Sequence, residues 1–147
     1  EQEKQPNMAD IRGKRILLAE DNELNAEIAI ELLQEEGFFV ELATDGQECF
    51  DMLDQAEEGY YDLILMDIQM PNVNGYEATV KIRQMENDKK AQIPIIAMTA
   101  NAFDDDRKRS KEAGMNAHIS KPIEIPNLLN TIDGLCNNAT KLTGVTL

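Results

Sequence analysis

Short apolar runs alternate with longer amphipathic stretches along most of the chain. The runs are rich in branched or aromatic side chains and predict five β-strands, over residues 15–19, 38–43, 63–66, 95–99 and 117–120. Between them apolar residues recur at helical spacing, which predicts helices over 24–36, 47–56, from 75 to about 85, and 126–136. A charged stretch over 102–113, followed by Gly114 as a stop, predicts one more helix. Strands that alternate with helices through short loops form a parallel sheet covered on both faces. The handedness rule for crossovers then predicts an α/β fold with a doubly wound, five-stranded, flavodoxin-like sheet of (βα)5 type.

Two of the predicted helices have distinctive patterns. In the first, Ile28 and Leu32 form the apolar stripe, with Ala29 and Leu33 beside it. The helix over 102–113 is charged almost throughout and should be the least buried. Its run of acidic residues at 104–106 does not have the alternating ligand positions of a calcium loop, so we interpret it as a solvated helix start.

Two polar ends frame a single predicted domain. Residues 1–13 show no hydrophobic period, and we interpret them as a linker or a cloning remnant. The domain is predicted over 14–137, because a chain of 147 residues is long enough to bury one core but short for two. Past Cys136 the sequence turns polar, and we expect residues 138–147 to form a tail.

Charge and composition exclude several classes of function. With 14 basic and 28 acidic residues the formal charge is −14, which argues against direct binding to nucleic acid because affinity for phosphate backbones comes from Lys and Arg. No apolar run approaches the roughly 18 residues of a membrane span, and no signal-peptide pattern precedes Met8. We therefore predict a cytoplasmic domain that makes no membrane contact of its own. Cys49 and Cys136 match no ligand or redox spacing and are predicted to be reduced core residues.

Polar and charged residues stand where four of the predicted strands end. Because parallel strands point the same way, all their carboxyl ends lie along one edge of the domain. The residues at, or one or two positions past, these ends are Glu20, Asp21, Asp67, Thr99 and Lys121. Each alone has a plausible structural role such as helix capping, but their joint placement indicates a functional site.

The chemistry of this set favours a hard metal ion and a phosphoryl group. Two like charges at about 4 Å repel by roughly 4 kcal/mol at an effective dielectric of 20, so converging carboxylates shift their pKa values or bind a cation. An all-oxygen ligand set favours Mg²⁺, and His118 is not positioned as part of a zinc set. With Lys121 and Thr99 the edge would hold a carboxylate nucleophile, a Lewis acid and two donors for phosphoryl oxygens.

Four segments carry a resemblance to a known family: AEDN at 19–22, LILMDIQMPNVNG at 63–75, PIIAMTANA at 94–102 and AGMNAHISKPI at 113–123. Together they resemble the receiver domain of two-component response regulators, and most closely the receivers attached to hybrid sensor histidine kinases. The resemblance covers essentially residues 14–136 and includes all the strand ends. It implies phosphorelay signalling, in which a phosphoryl group passes from a phosphohistidine to an aspartate.

The resemblance also implies roles for individual residues. Asp67 matches the phosphoacceptor, and Glu20 and Asp21 match the acidic pair that holds Mg²⁺ together with Asp67 and the backbone carbonyl of Gln69. Thr99 matches the hydroxyl that moves to the phosphoryl group, and Lys121 matches the cation that pairs with it. In the family, the peptide bond between this lysine and the following proline is cis.

Further expectations from the resemblance concern switching and partners. His118 occupies the switch position, where the family usually has Tyr or Phe; the residues that tune hydrolysis of the phosphoaspartate are Gln69 and Asn101. The implied partner is a histidine kinase or a histidine phosphotransfer helical bundle, docking near the helix at 24–36. Some members dimerise on phosphorylation, and receivers catalyse their own phosphorylation and dephosphorylation. A parent chain can itself be a histidine kinase and can be anchored in a membrane.

Three other classes of function stay open on the residues alone. A haloacid-dehalogenase-type phosphatase also uses a strand-end Asp with Mg²⁺, but it needs a second Asp two residues later, where Gln69 stands. A nucleotide- or flavin-binding domain could share the architecture, although no G-x-G-x-x-G or P-loop motif follows any strand. A pseudo-receiver that only mediates contacts would be expected to have lost one of the five strand-end residues, and none is lost.

Overall fold

The computed structural model describes the backbone of residues 11–100 and 104–145, and the side chains of residues 11–100 and 107–136. Strands and helices alternate along these ranges. The strands are β1 (Arg15–Ala19), β2 (Phe39–Ala43), β3 (Leu63–Asp67), β4 (Ile95–Thr99) and β5 (Ala117–Ser120). The helices are α1 (Glu23–Glu35), α2 (Gly46–Gln55), α3 (Gly75–Arg83), α4 (Asp88–Ala91), α5 (Asp104–Ala113) and α6 (Ile125–Val145).

The five strands form one parallel sheet in the order β2-β1-β3-β4-β5. This is the flavodoxin-like doubly wound order, so the fold class predicted from the sequence is confirmed. The order reverses at β1, which pairs with β2 on one side and with β3 on the other. The carboxyl ends of β1 and β3 therefore lie side by side at the switch point, where open α/β sheets bind their ligands.

Two apolar cores lie on opposite faces of the sheet. Strand β1 sends Leu17 and Ala19 to one core and Ile16 and Leu18 to the other. Side chains of α2 and α3 complete the first core, and side chains of α1 and α6 complete the second. Every residue of β3 and β4 is buried, as expected for central strands covered on both faces. This packing holds the residues at the carboxyl ends of β3 and β4 in place.

Helix α1 buries only part of the apolar stripe that the sequence indicates. Ala26, Ala29 and Leu33 face the core, whereas Ile28 is 51% exposed. The prediction is correct for Ala29 and Leu33 and wrong for Ile28. Successive residues of a helix are about 100° apart, and the small alanines let the face that contains them lie against the sheet. Ile28 precedes Ala29 by one residue and therefore points about 100° away from it. It stays on the surface near Leu24, which is 63% exposed.

The packed fold extends beyond the predicted domain at its start, and its last helix is longer than predicted. Ile11 is fully buried in the core that α1 and α6 complete, so packing begins before residue 14. Helix α6 continues to Val145, past Cys136, where the sequence predicts its end. The short helix α4 was not predicted because its polar stretch has no apolar period. It is capped by Asn87, whose side chain accepts a hydrogen bond from Lys90 N–H.

The two cysteines lie inside the domain. Cys49 is fully buried and Cys136 is partly buried, and neither takes part in a disulfide. Both therefore pack as the apolar, reduced side chains that the sequence predicts. Within the ranges that the structure describes, no helix combines the length and apolarity needed to cross a membrane.

Candidate functional site

Four of the predicted site residues meet at the carboxyl edge of the sheet. Asp67 is the last residue of β3 and Thr99 the last of β4, while Glu20 and Lys121 directly follow β1 and β5. Backbone hydrogen bonds anchor the latter two: the N–H of Glu20 donates to the Ala43 carbonyl oxygen at 3.0 Å, and that of Lys121 donates to the Thr99 carbonyl oxygen at 2.8 Å. The sheet therefore sets the position from which each side chain starts.

The ammonium group of Lys121 bridges two carboxylates. Its Nζ atom lies 2.9 Å from Oε1 of Glu20 and 3.1 Å from Oδ2 of Asp67. Glu20 is 3% exposed and Asp67 4% exposed, so both carboxylates are largely removed from water and need a compensating charge. The Lys121–Pro122 peptide bond is cis, as the family resemblance implies.

Burial and the charges of their neighbours shift the pKa values of Asp67 and Lys121. Burial raises the pKa of Asp67 to about 6, the nearby Lys121 charge opposes that rise, and the charge of Glu20 adds to it. For Lys121, burial alone would lower the pKa, but hydrogen bonds and attraction to Glu20 and Asp67 outweigh it and the pKa is raised. The site therefore holds a carboxylate that is destabilised as an anion beside a cation that stays protonated.

Three carboxylates at this edge can share one metal ion. One oxygen from each of Glu20, Asp21 and Asp67 lies within 4.8 Å of the others. Asp21 is exposed, so the cluster opens to solvent on its side. Oxygen-only donors with an open side fit a hard divalent ion that keeps some of its waters, as Mg²⁺ does. Lys121 pairs with two of these carboxylates and neutralises only part of their charge.

The loop between β3 and α3 folds back over Asp67. The N–H of Gln69 donates to Oδ1 of Asp67 at 3.3 Å, and the N–H of Gly75 donates to the Ile68 carbonyl oxygen at 2.9 Å. A Cβ atom added to Gly75 would lie 2.5 Å from the Asp67 carbonyl oxygen and 2.9 Å from Ile68 Cα. Both are backbone atoms, so a larger residue at position 75 would displace the backbone of Asp67. The Asn-Gly pair at 74–75 indicates a turn, but nothing in one sequence indicates this contact.

The other predicted residues lie outside this cluster or outside the described residues. His118 stands in β5 opposite Ala97 of β4, and its side chain is partly buried. Its role as a switch remains a prediction, as does the role of the Gln69 carbonyl as a metal ligand. Asn101 lies outside the described residues.

A cavity of about 450 Å³ opens beside the acidic cluster. Its lining includes Asp21, Gln69 and Thr99, together with Tyr76 of α3 and Arg109 of α5. The guanidinium carbon of Arg109 lies 4.4 Å from the centre of the Tyr76 ring, a cation–π contact. The sequence does not indicate Arg109, because α5 is only recognisable as a charged, exposed helix.

A second, smaller groove runs between α1 and the segment that follows β5. Its volume is about 100 Å³. Glu20 and Lys121 contribute to its wall, so it adjoins the acidic site. Its apolar lining consists of Ile28, Ala29, Leu32, Met98, Pro122 and Ile123.

Known sequences match most of this chain. The profile of the response regulator receiver domain matches residues 16–133. Hybrid signal transduction histidine kinase I of Dictyostelium discoideum is 41% identical over 118 residues, which cover 79% of this chain and 7% of that protein. The polar-differentiation response regulator DivK of Brucella anthropi is 38% identical over 126 residues, which cover 86% of this chain and 98% of DivK. The chain thus spans 7% and 13% of the length of histidine kinases that it matches.

Solved structures that contain receiver domains also match this chain. The receiver domain of a sensor histidine kinase from Pseudomonas aeruginosa, determined with a magnesium ion coordinated in its active-site cleft, matches with a TM-score of 0.71 and 38% identity, covering 83% of this chain and 95% of that one. A second match is the co-crystal structure of the Saccharomyces cerevisiae histidine phosphotransfer protein Ypd1 with the receiver domain of Ssk1. Its TM-score is 0.71 and its identity 29%, and the match covers 80% of this chain and 84% of that one.

Proposed function

The chain belongs to the response regulator receiver family of two-component phosphorelays, and we propose that it accepts a phosphoryl group on Asp67 from a phosphohistidine, in a reaction that requires Mg²⁺. The observation that carries the proposal is the pairing of Asp67 with Lys121 at 3.1 Å, beside the carboxylates of Glu20 and Asp21. This places a nucleophile, a cation and a metal-binding pair at one edge. These are the groups that phosphoryl transfer to a carboxylate needs.

In the proposed reaction a carboxylate oxygen of Asp67 forms a bond to phosphorus as the bond from phosphorus to the donor's imidazole nitrogen breaks. The electron pair of the broken bond stays on that nitrogen, which solvent can protonate. The pKa of Asp67 is raised to about 6, so the side chain is still ionised and nucleophilic at neutral pH. Lys121 would pair with a phosphoryl oxygen, and the Thr99 hydroxyl would donate to a second one.

The residues that would hold Mg²⁺ are Glu20, Asp21 and Asp67, with the backbone carbonyl of Gln69. The clustering of three carboxylates within 4.8 Å fits the oxygen preference of the ion, and a receiver domain 38% identical to this chain holds magnesium in its active-site cleft. When bound, the ion would offset the negative charge of the carboxylates and of the phosphoryl oxygens.

The response to phosphorylation would run through Thr99 and His118. Both lie on neighbouring strands, Thr99 at the end of β4 and His118 in β5. In the proposal the Thr99 hydroxyl moves towards the phosphoryl group and the His118 ring follows it inwards, which changes the surface formed by α5, β5 and α6. Gln69 and Asn101 would set the rate at which the phosphoaspartate is hydrolysed.

We propose the apolar groove beside α1 as the docking site for a histidine phosphotransfer bundle. Ile28 is 51% exposed there and the groove adjoins Lys121, so a helix lying in it would bring its phosphohistidine near Asp67. The receiver-containing complex with Ypd1 supports a partner of this kind. Ile28→Lys should slow transfer from such a bundle about tenfold and leave labelling by acetyl phosphate unchanged. Phe39→Lys, at a residue that is 58% exposed but lies outside the groove, should change neither rate.

The parent protein in this proposal is a hybrid histidine kinase, although the match to DivK over 98% of its length also fits a stand-alone receiver. The domain would work in the cytoplasm and catalyse its own phosphorylation and dephosphorylation. A phosphatase of the haloacid-dehalogenase type is less well supported, because Gln69 stands where that class needs its second Asp.

The assignment of Asp67 can be tested by labelling. The wild-type protein should form a hydroxylamine-labile phosphoryl adduct with acetyl phosphate or a phosphohistidine donor in the presence of Mg²⁺, and Asp67→Asn should form none. The control variant Asp51→Asn carries the same change at an exposed position of α2. It should be labelled to the same extent as the wild type. Undiminished labelling of Asp67→Asn would overturn the assignment.

A further inference from the structure

We infer that the cavity beside the acidic site receives the leaving group of an acyl phosphate, and that Arg109 binds the carboxylate that is released. The inference rests on the proposed function, because it needs Asp67 to be the phosphoacceptor. It assigns a residue that distinguishes small acyl phosphates from the phosphohistidine of a partner protein as donors.

The cavity has the size and position for such a group. Its volume of about 450 Å³ falls within the range of about 300–1,000 Å³ that is typical of small-molecule sites. Asp21, Gln69 and Thr99 line it, and the N–H of Gln69 donates to Asp67. In an in-line displacement the leaving oxygen lies on the side of phosphorus opposite the attacking carboxylate. A donor positioned for attack by Asp67 would therefore extend its leaving group outwards, into the space that these residues enclose.

Arg109 brings a positive charge to this acidic surface. Among the side chains that the structure describes, none forms an ion pair with Arg109, while its guanidinium group packs on the face of the Tyr76 ring at 4.4 Å. Tyr76 is only 8% exposed, so the ring is a fixed support and the stacking restricts where the guanidinium group can lie. The planar guanidinium group keeps N–H donors for a ligand. It suits a carboxylate best, because it can donate two parallel hydrogen bonds to the two carboxylate oxygens.

The reaction with an acyl phosphate is balanced without any further reactant. An Asp67 oxygen bonds to phosphorus, the bond from phosphorus to the acyl oxygen breaks, and the electron pair leaves with that oxygen as a free carboxylate. Transition states of phosphoryl transfer are loose in most analyses, so much of this negative charge is already on the leaving oxygen at the top of the barrier. A guanidinium group in the cavity would stabilise that charge.

This role makes the effect of Arg109 depend on the donor. Acetyl phosphate releases an anion, whereas phosphoramidate and phosphohistidine release a nitrogen leaving group that carries no negative charge once it is protonated. All three donors carry the same phosphoryl group. A residue that only attracts the phosphoryl group would therefore help every donor equally, whereas a residue that binds the released carboxylate would help acetyl phosphate alone.

The test compares two small donors on the whole chain with Mg²⁺ present. Arg109→Gln should lower the second-order rate constant for labelling by acetyl phosphate about two- to fivefold, as expected for one partly exposed charge contact, and leave labelling by phosphoramidate unchanged. Arg109→Lys should recover part of the loss. Arg107→Gln makes the same change of charge on the same helix, at an exposed residue that does not line the cavity, and should behave as wild type with both donors.

The outcomes separate this inference from the proposed function. Equal losses with both donors, no loss with either, or the same loss in Arg107→Gln would each overturn the role of Arg109. Failure of the wild-type protein to be labelled by either donor, or labelling of Asp67→Asn, would instead overturn the assignment of Asp67. A circular dichroism spectrum and melting temperature of Arg109→Gln that match the wild type would show that a loss of rate is not a loss of fold.

Discussion

The Nζ atom of Lys121 lies 3.1 Å from Oδ2 of Asp67. The same ammonium group also contacts Glu20 at 2.9 Å, so one cation serves two carboxylates that are almost fully buried. Because both carboxylates pair with this cation, the folded state can bury their negative charges, which would otherwise be very unfavourable away from water. It also means that each of the three groups affects the stability of the other two, and the first two predictions follow from this dependence.

Lys121→Met should destabilise the metal-free domain by roughly 2–4 kcal/mol at pH 7.5, because it leaves two buried carboxylates without their cation. Equilibrium unfolding in urea with EDTA measures the change. The loss should shrink near pH 4, where Asp67 is protonated, since the pKa of Asp67 is about 6. Lys89→Met removes a lysine whose partner Glu58 is also exposed and should cost less than about 0.5 kcal/mol. Equal losses in the two variants would contradict the structural role given to Lys121.

Asp67→Asn should stabilise the metal-free domain at neutral pH by roughly 1–3 kcal/mol. The pKa of Asp67 is raised to about 6 from an ordinary value of 3.8. A group with a raised pKa favours the folded state below its unfolded pKa, and this contribution is lost as pH rises through the folded value. The wild type should therefore lose stability, relative to Asp67→Asn, between about pH 4 and pH 6. Parallel stability curves for the two proteins across that range would rule out the raised pKa.

The strand-end residues could be predicted because their placement is a local property. An apolar run followed by Asp67, or by Glu20 and Asp21, indicates both the strand and its polar end, and parallel pairing then brings the ends together. The sequence could not indicate which face of α1 is buried, because Ile28 and Ala29 are both apolar and the choice depends on how closely the helix approaches the sheet. The contact of Arg109 with Tyr76 joins two helices that are far apart in the chain, and neither has a pattern that indicates the other.

Asp21→Asn should remove most of the stabilisation by Mg²⁺ and leave the metal-free protein unchanged. Asp21 is exposed and belongs to the carboxylate cluster, so its charge matters for the ion more than for the fold. A bound ion stabilises the folded state by about 1.4 kcal/mol at ten times its dissociation constant. Melting temperatures measured with and without Mg²⁺ report this gain. Glu23→Gln, a nearby exposed acid of α1 outside the cluster, should keep the full gain.

Gly75→Ala should both destabilise the domain and slow the labelling of Asp67. The added methyl group would lie 2.5 Å from the carbonyl oxygen of Asp67 and 2.9 Å from Ile68 Cα, and backbone atoms of a buried strand end cannot move away cheaply. We expect a loss of about 1–3 kcal/mol and a rate of labelling by acetyl phosphate that falls severalfold, since the carboxylate shifts with its backbone.

The control for this variant is another glycine at which the same change costs stability for a different reason. Gly59 has φ +83° and no atom within 4 Å of an added Cβ, so Gly59→Ala should cost about 1 kcal/mol through backbone strain alone. Because Gly59 belongs to the loop before β3, at the other end of that strand from Asp67, its labelling rate should match the wild type. If both alanine variants are equally unstable and equally slow, the slow labelling reflects loss of the folded state. If only Gly75→Ala is slow at a temperature where both are folded, close packing against the Asp67 backbone is what positions the acceptor.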